Sequence, residues 1–304
     1  MDKIICLVGP TAVGKTLLSL ELAEKLNAEI VCVDSLVVYR DFNIGTAKPT
    51  LEERQRVPHH VIDLISPEEN FTAFDFCEAA NQAIRLIQKK GKKVFLVGGS
   101  GLYLKALTRG MFQAPPSDPL LKKELEKEME EEGSERMYQK LRAVDPEWAL
   151  TLHPHDRYRI LRALEVFKVS GKKFSEFRQK HNPKQASPFL KIGLTIEREK
   201  LYQNIEHRTQ KMLADGLIEE VSGLMKKYPL TCKPFKSVGY KETLQFLQSS
   251  SPGLSGGSKE LSQKITQATR HLAKGQWTWF RKDLEIQWFS PHDSQIYRKI
   301  AELF

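Results

Sequence analysis

The chain has 304 residues, a length that fits two ordinary domains or one large α/β domain carrying an insertion. With 40% hydrophobic, 28% charged and 9% aromatic residues it is neither disordered nor fibrous, and no apolar run approaches the roughly 18 residues of a membrane-spanning helix. The formal net charge is +9, from 47 basic and 38 acidic residues. The apolar run at 4–8 is too short for a signal peptide. The four cysteines, Cys6, Cys32, Cys77 and Cys232, are spaced for neither a zinc site nor a disulfide framework, so buried reduced thiols and cytoplasmic residence are expected.

In chain order, short apolar runs at 4–8, 30–33, 61–65 and 94–97 read as strands, and the longer patterns at 16–26 and 72–90 read as helices. Strands alternating with helices predict β-α-β units and a parallel sheet. The second helix opens with Thr72 and Asp75 at capping-box spacing. Pro115, Pro116 and Pro119 then break the pattern, Pro183 and Pro188 break it again, and a strand at 191–195 resumes the alternation. The expected organisation is a discontinuous core, 1–116 and 187–304, interrupted by a helical insertion at 117–186. Within the insertion, Ile160, Leu164 and Phe167 share one helix face, while Arg159 and Arg162 project from the other. Between 136 and 191 there are 13 basic and 5 acidic residues, a net +8. That block assigns the chain's charge almost wholly to the insertion and points to a polyanion, or to a solvated basic face. Beyond 196 the chain is again helical, with 249–258 (SSSPGLSGGS) expected as a flexible loop.

The first strand runs directly into Gly9, Pro10, Thr11, Ala12, Val13, Gly14, Lys15 and Thr16, which fit G-x-x-x-x-G-K-[ST] and open a helix. In such a loop the backbone N–H groups and the helix N-terminus converge on a phosphate, Lys15 supplies charge, and the Thr16 hydroxyl can reach Mg²⁺. The loop predicts a di- or triphosphate ligand. It does not select ATP among pyrophosphate esters, nor say whether the bond broken lies at phosphorus or at carbon. Asp34, at the end of the second strand, faces the ligand crevice of an open α/β sheet or caps a turn.

Six further stretches narrow this reading: DSLVVYR at 34–40, IGTAKP at 44–49, LVGGSGLYLKAL at 96–107, HPHDRYRILRALEVFKVSGK at 153–172, SVGYKE at 237–242 and ATRHLAKGQWTWFRK at 268–282. With the phosphate loop, they resemble the tRNA dimethylallyltransferase family in composition, order and spacing. The resemblance implies an α/β fold with a P-loop NTPase-like parallel sheet, an inserted all-helical tRNA-binding domain and a helical C-terminal part. It implies transfer of a dimethylallyl group from dimethylallyl diphosphate to N6 of adenine 37, beside the anticodon, in tRNAs reading codons that begin with U.

By the same resemblance, Asp34 is the general base, Thr11 supports the diphosphate or the amine, Arg208 is a second clamp on pyrophosphate, and Mg²⁺ lies near Thr16. The implied tRNA contacts are Asp34, Ser35, Leu36, Val37, Ser100, Lys122, Tyr158, Arg159, Ile160, Leu161, Arg162, Lys236, Ser237, Val238, Gly239, Tyr240 and Lys241. Trp277, Trp279 and Phe280 are expected in the core instead, and the protein is expected to be a monomer. Val37 stands where many members have Gln, Asn43 where Asp is frequent, Ser100 where Thr is frequent, and Gly275 where Arg is common. The competing readings are a small-molecule kinase, an RNA-binding nucleotide switch and an adenylate prenyltransferase.

Overall fold

The computed structural model describes residues 3–112, 114–179, 188–249 and 257–301. The chain divides into two compact units, one from 1–108 and 186–304, the other from 109–185.

The first unit begins β1 (Ile4–Val8), α1 (Lys15–Lys25), β2 (Ala28–Val33), α2 (Leu51–Arg56), β3 (His59–His60), α3 (Ala73–Lys89), β4 (Lys93–Gly98) and α4 (Gly101–Arg109). The second unit supplies α5 (Pro119–Val144), α6 (Pro146–Ala149), α7 (Arg157–Ser170) and α8 (Phe174–Gln179). The chain then returns through β5 (Phe189–Leu194), α9 (Arg198–Ala214), α10 (Leu217–Lys227), a 3₁₀ turn (Lys233–Lys236), α11 (Tyr240–Gln248), α12 (Gly257–Phe280), β6 (Gln287–Phe289) and α13 (Ser294–Ala301).

The six strands form one parallel sheet in the order β3-β2-β4-β1-β5-β6. β1 is apolar on both faces because both are covered. Ile4, Cys6 and Val8 pack with α3 and α4, whereas Ile5 and Leu7 pack with α1, α9 and α13. Thr72 caps α3 through a full capping box with Asp75, as its spacing predicts. Cys6, Cys32 and Cys232 are buried and Cys77 is half-buried.

Three expectations change. The run at 61–65 is not a strand: β3 is only His59–His60, because Val61 and Asp63 turn the chain at φ 60 and 53, leaving a single bridge between Tyr39 and Ile65. The last strand, β6, went unpredicted, since three residues carry too little pattern. Of the expected loop at 249–258, residues 250–256 lie outside the described residues, and Gly257 already belongs to α12. Pro183 also lies outside them.

The second unit has its own core, in which Leu125, Met129, Met137 and Leu141 of α5 meet Ile160, Ala163, Leu164 and Val166 of α7. Gly133, at φ 83, breaks α5 and lets its two halves fold against one another's side chains. Ile160 is fully buried in this core, so its side chain is structural rather than part of an RNA-facing surface, while Leu161 is half-buried against it. Arg162 is likewise engaged: it donates to Glu165 at 2.6 Å and to the Pro115 carbonyl at 2.5 Å. Arg159 is exposed and pairs with the N-cap residue Asp156 at 2.7 Å.

The charge assignment is also corrected. Residues 109–185 hold sixteen basic and thirteen acidic residues, a net +3, so most of the +9 lies on the other unit. The reason is the acidic first half of α5, whose Glu128 and Glu132 pair with Lys140 and whose Glu124 pairs with Lys168.

A candidate diphosphate site at the ends of β1 and β2

The phosphate loop follows β1, buried at Gly9 and Pro10 and open to solvent at Gly14 and Thr16. Ala12 at φ 63 and Gly14 at φ 102 put two left-handed residues in the turn, the backbone form that aims successive N–H groups at one anion. A side chain at Gly14 would be strained there, while Ala12 tolerates it at a local cost of about 1–3 kcal/mol. Lys15 bends back over the loop, its Nζ donating to the carbonyls of Gly9 at 2.9 Å and Pro10 at 2.6 Å. Thr16 is exposed in the first turn of α1.

Asp34 follows β2 directly, half-buried, and its Oδ1 accepts the Leu36 N–H at 2.8 Å. It therefore both caps a turn and faces charge. Burial raises its carboxyl above the usual carboxylate range, against the opposing pull of the Leu36 and Val37 amides and of the Lys15 and Arg208 charges. Burial pushes the Lys15 ammonium down to about 7, aided by Arg208 and opposed by Asp34. Burial also lowers Arg208, whose one opposing influence is Asp34. Three residues far apart in sequence thus share a single electrostatic environment: two half-buried cations with one half-buried carboxylate. Such an arrangement is short of negative charge, which a diphosphate would supply.

The supporting contacts come from helices late in the chain. Asn204 of α9 donates to the Ala12 carbonyl at 3.1 Å. Gln276 of α12 accepts the Thr11 N–H at 2.8 Å and donates to the Gly99 carbonyl at 3.3 Å. Ser100 Oγ accepts the Ser35 N–H at 3.1 Å, fixing the backbone next to Asp34. Neither Asn204 nor Gln276 was singled out from sequence. Polar residues on amphipathic helices carry no local sign of a partner 192 or 265 positions away.

Among the other implied contact residues, Ser35 and Leu36 are half-buried, but Val37 is 5% exposed and packs in the core on the α1 side of the sheet. Tyr240 is fully buried, with its hydroxyl donating to Glu220 at 2.5 Å and accepting the Gly45 N–H at 3.1 Å. Both side chains are therefore structural, and Tyr240 holds the 43–46 loop against α10. Lys236 and Lys241 are exposed, Ser237 and Val238 half-buried, and Gly239 has a left-handed φ of 92. Tyr158 is 74% exposed and Lys122 is exposed, 3.8 Å from Glu126. Of the C-terminal aromatics, Phe280 is core as expected, Trp277 is half-buried under Arg281, and Trp279 is exposed.

Comparison with known proteins adds an independent line. A family model described as IPP transferase matches residues 37–283. A tRNA dimethylallyltransferase of Geobacter metallireducens is 47% identical over 288 residues, 94% of this chain and 92% of that protein. Another, tRNA dimethylallyltransferase 1 of Trichlorobacter lovleyi, is 44% identical over 306 residues, 99% of this chain and 98% of its own. The full-length tRNA isopentenylpyrophosphate transferase of Bacillus halodurans is similar in structure at a TM-score of 0.69 and 36% identity, over 100% of this chain and 94% of that one. A eukaryotic dimethylallyltransferase, solved in snapshots acting on tRNA, reaches a TM-score of 0.82 at 28% identity, over 99% of this chain and 77% of that one. Taken with the loop, the strand-end Asp34 and the parallel sheet, these matches establish that the chain belongs to the IPP transferase family.

Proposed function

We propose that the protein transfers a dimethylallyl group from dimethylallyl diphosphate to N6 of adenine 37 in tRNAs reading codons that begin with U, giving N6-isopentenyladenosine. The observation that carries this reading is the shared environment of Lys15, Asp34 and Arg208 at the phosphate loop. A kinase needs the loop and its cations. It too can use a carboxylate as base, so the preference for transfer to an amine is supported by the matched relatives, which are named tRNA dimethylallyltransferases.

In the reaction the N6 lone pair attacks the allylic carbon, the carbon–oxygen bond to diphosphate breaks, and N6 loses a proton. Loop amides, Lys15 and Arg208 stabilise the charge growing on the leaving diphosphate, a role worth most in a site of low dielectric. Asp34 accepts the N6 proton, and its raised pKa makes it a better base than a carboxylate in water. Thr16 offers one exposed hydroxyl, a hard oxygen ligand of the kind Mg²⁺ takes beside diphosphate oxygens. When bound, the ion would neutralise charge on the diphosphate oxygens.

The base must leave the anticodon-loop stack to react. Exposed Tyr158, Arg157 and Arg159 on α7, and Lys236 and Lys241 before and in α11, are suited to phosphate and base contacts. A monomer acting in the cytoplasm completes the proposal. The test is incubation with labelled dimethylallyl diphosphate, Mg²⁺ and unmodified tRNA carrying A36 and A37. Label on N6 of A37 is expected. No label on tRNA, or equal labelling of free AMP, overturns the reading.

A further inference from the structure

α12 enters the crevice through gaps left by glycines. A Cβ at Gly99 would lie 2.4 Å from Gln276 Nε2, and a Cβ at Gly101 would lie 2.1 Å from Trp279 Cδ1. The turn between β4 and α4 therefore takes its shape around two α12 side chains. The atoms it meets orient the Gln276 carboxamide, since the Thr11 N–H can only donate and the Gly99 carbonyl can only accept. With both ends used, this side chain spans the phosphate loop and the β4–α4 turn. Gly99 is followed by Ser100, whose hydroxyl holds the Ser35 N–H beside Asp34. A continuous path thus leads from Thr11, on the leaving-group side, through Gln276, Gly99, Ser100 and Ser35, to the carboxylate on the nucleophile side.

We propose that Gln276 is a positioning residue that fixes the phosphate loop against the β4–α4 turn, and so sets the distance between the diphosphate and Asp34. The inference rests on the transfer reading and names how this chain meets its geometric demand. Displacement at carbon requires leaving group, carbon and amine to be aligned, and a misplacement of about 1 Å costs on the order of a hundredfold. The Thr11 amide, already committed to Gln276, acts as the anchor of the loop, and the loop's other amides are left to face the diphosphate.

The test compares wild type with Gln276→Ala, Gln276→Glu, Gly99→Ala and the double variant Gly99→Ala/Gln276→Ala. Gln276→Ala is expected to lower kcat about ten- to a hundredfold, with KM for dimethylallyl diphosphate and affinity for inorganic pyrophosphate changed less than about threefold. Gln276→Glu should fall comparably, because a carboxylate keeps the Thr11 bond but meets the Gly99 carbonyl with charge instead of a donor. Gly99→Ala should be damaging alone and add little to Gln276→Ala, since the added methyl then meets no carboxamide. Hydrogen exchange supplies a readout independent of turnover: the Thr11 amide should lose protection in Gln276→Ala while the Leu18 amide inside α1 keeps it. Unchanged Thr11 protection, kcat of Gln276→Ala or Gln276→Glu within about twofold of wild type, or additive effects in the double variant overturn the inference. A wild type that prenylates no tRNA sinks the transfer reading instead, and Thr11 protection still decides the role of Gln276.

Discussion

The two units treat charge in opposite ways. At the phosphate loop of the sheet unit, Lys15 and Arg208 are half-buried with only Asp34 as a shared carboxylate, and burial pulls both cations below their ordinary pKa values. In the helical unit the charges are more numerous but stay at the surface and largely neutralise one another, as in Lys140 with Glu128 and Glu132, Lys168 with Glu124, and Arg159 with Asp156. Counting only 136–191 marks the helical unit as the electropositive feature of the sequence, whereas the whole unit carries only +3 of the +9, and burial singles out the first unit instead. A few desolvated charges hold far more interaction energy than many exposed pairs, each worth about 0–1 kcal/mol. The difference teaches that a site for a small anion is recognised by what its charges lack, and a polyanion surface by what remains unpaired.

The contrast is broken most severely by removing the crevice carboxylate. Asp34→Ala should lower the transfer rate by about 10²- to 10⁴-fold while leaving tRNA affinity within a few fold, measured by single-turnover kinetics and filter binding. Next in size is Ile160→Ala, which should destabilise the helical unit by about 2–5 kcal/mol in chemical denaturation, because it empties a core position. Were Ile160 an RNA contact, stability would hold and only tRNA affinity would fall.

Smaller effects sharpen the charge comparison. Arg159→Ala should weaken tRNA binding and reduce its salt slope by about one, whereas Arg162→Ala should lower stability with little change of slope, since Arg162 is spent on Glu165 and the Pro115 carbonyl. Glu128→Gln with Glu132→Gln should act in the opposite direction, freeing Lys140 and steepening the slope by up to about one.

The finest test is protonic. Lys15 titrates near 7 in the folded protein, below its ordinary value, so between about 7 and 10 the unfolded chain binds more protons and this group's unfavourable contribution to stability fades as pH rises. Pyrophosphate binding should restore the ammonium. Calorimetry in buffers of different ionisation enthalpy should therefore show uptake approaching one proton near pH 8 and little near pH 6. Equal uptake at both would remove Lys15 as the responsive group. The acid side of the transfer profile should reflect Asp34, with activity lost as pH falls through a pKa lying above the usual carboxylate range.

Much of the sheet unit was legible because its signals are local. The apolar run of β1, the glycine spacing of the loop and the Thr72 cap each act within a few residues, so their consequences appear at the predicted places. The helical unit was legible in its periodicity, which located Ile160 and Leu164 on an inward face, but assigning Ile160 to RNA as well set two incompatible demands on one side chain. Val37 and Tyr240 show the same conflict. They lie within contiguous stretches that also contain exposed residues, and only the packed fold sorts the inward members from the outward ones.

By itself, then, the sequence determined the α/β class, the phosphate loop, the strand-end carboxylate and the family resemblance, all of which rest on short-range pattern and residue identity. Tertiary structure decided that Lys15, Asp34 and Arg208 share one environment, that Gln276 meets Thr11 from 265 positions away, and that Glu128 and Glu132 of α5 pair with Lys140 and Glu124 with Lys168. These outcomes depend on distances between segments that no local pattern encodes and on desolvation, which exists only once the chain has packed.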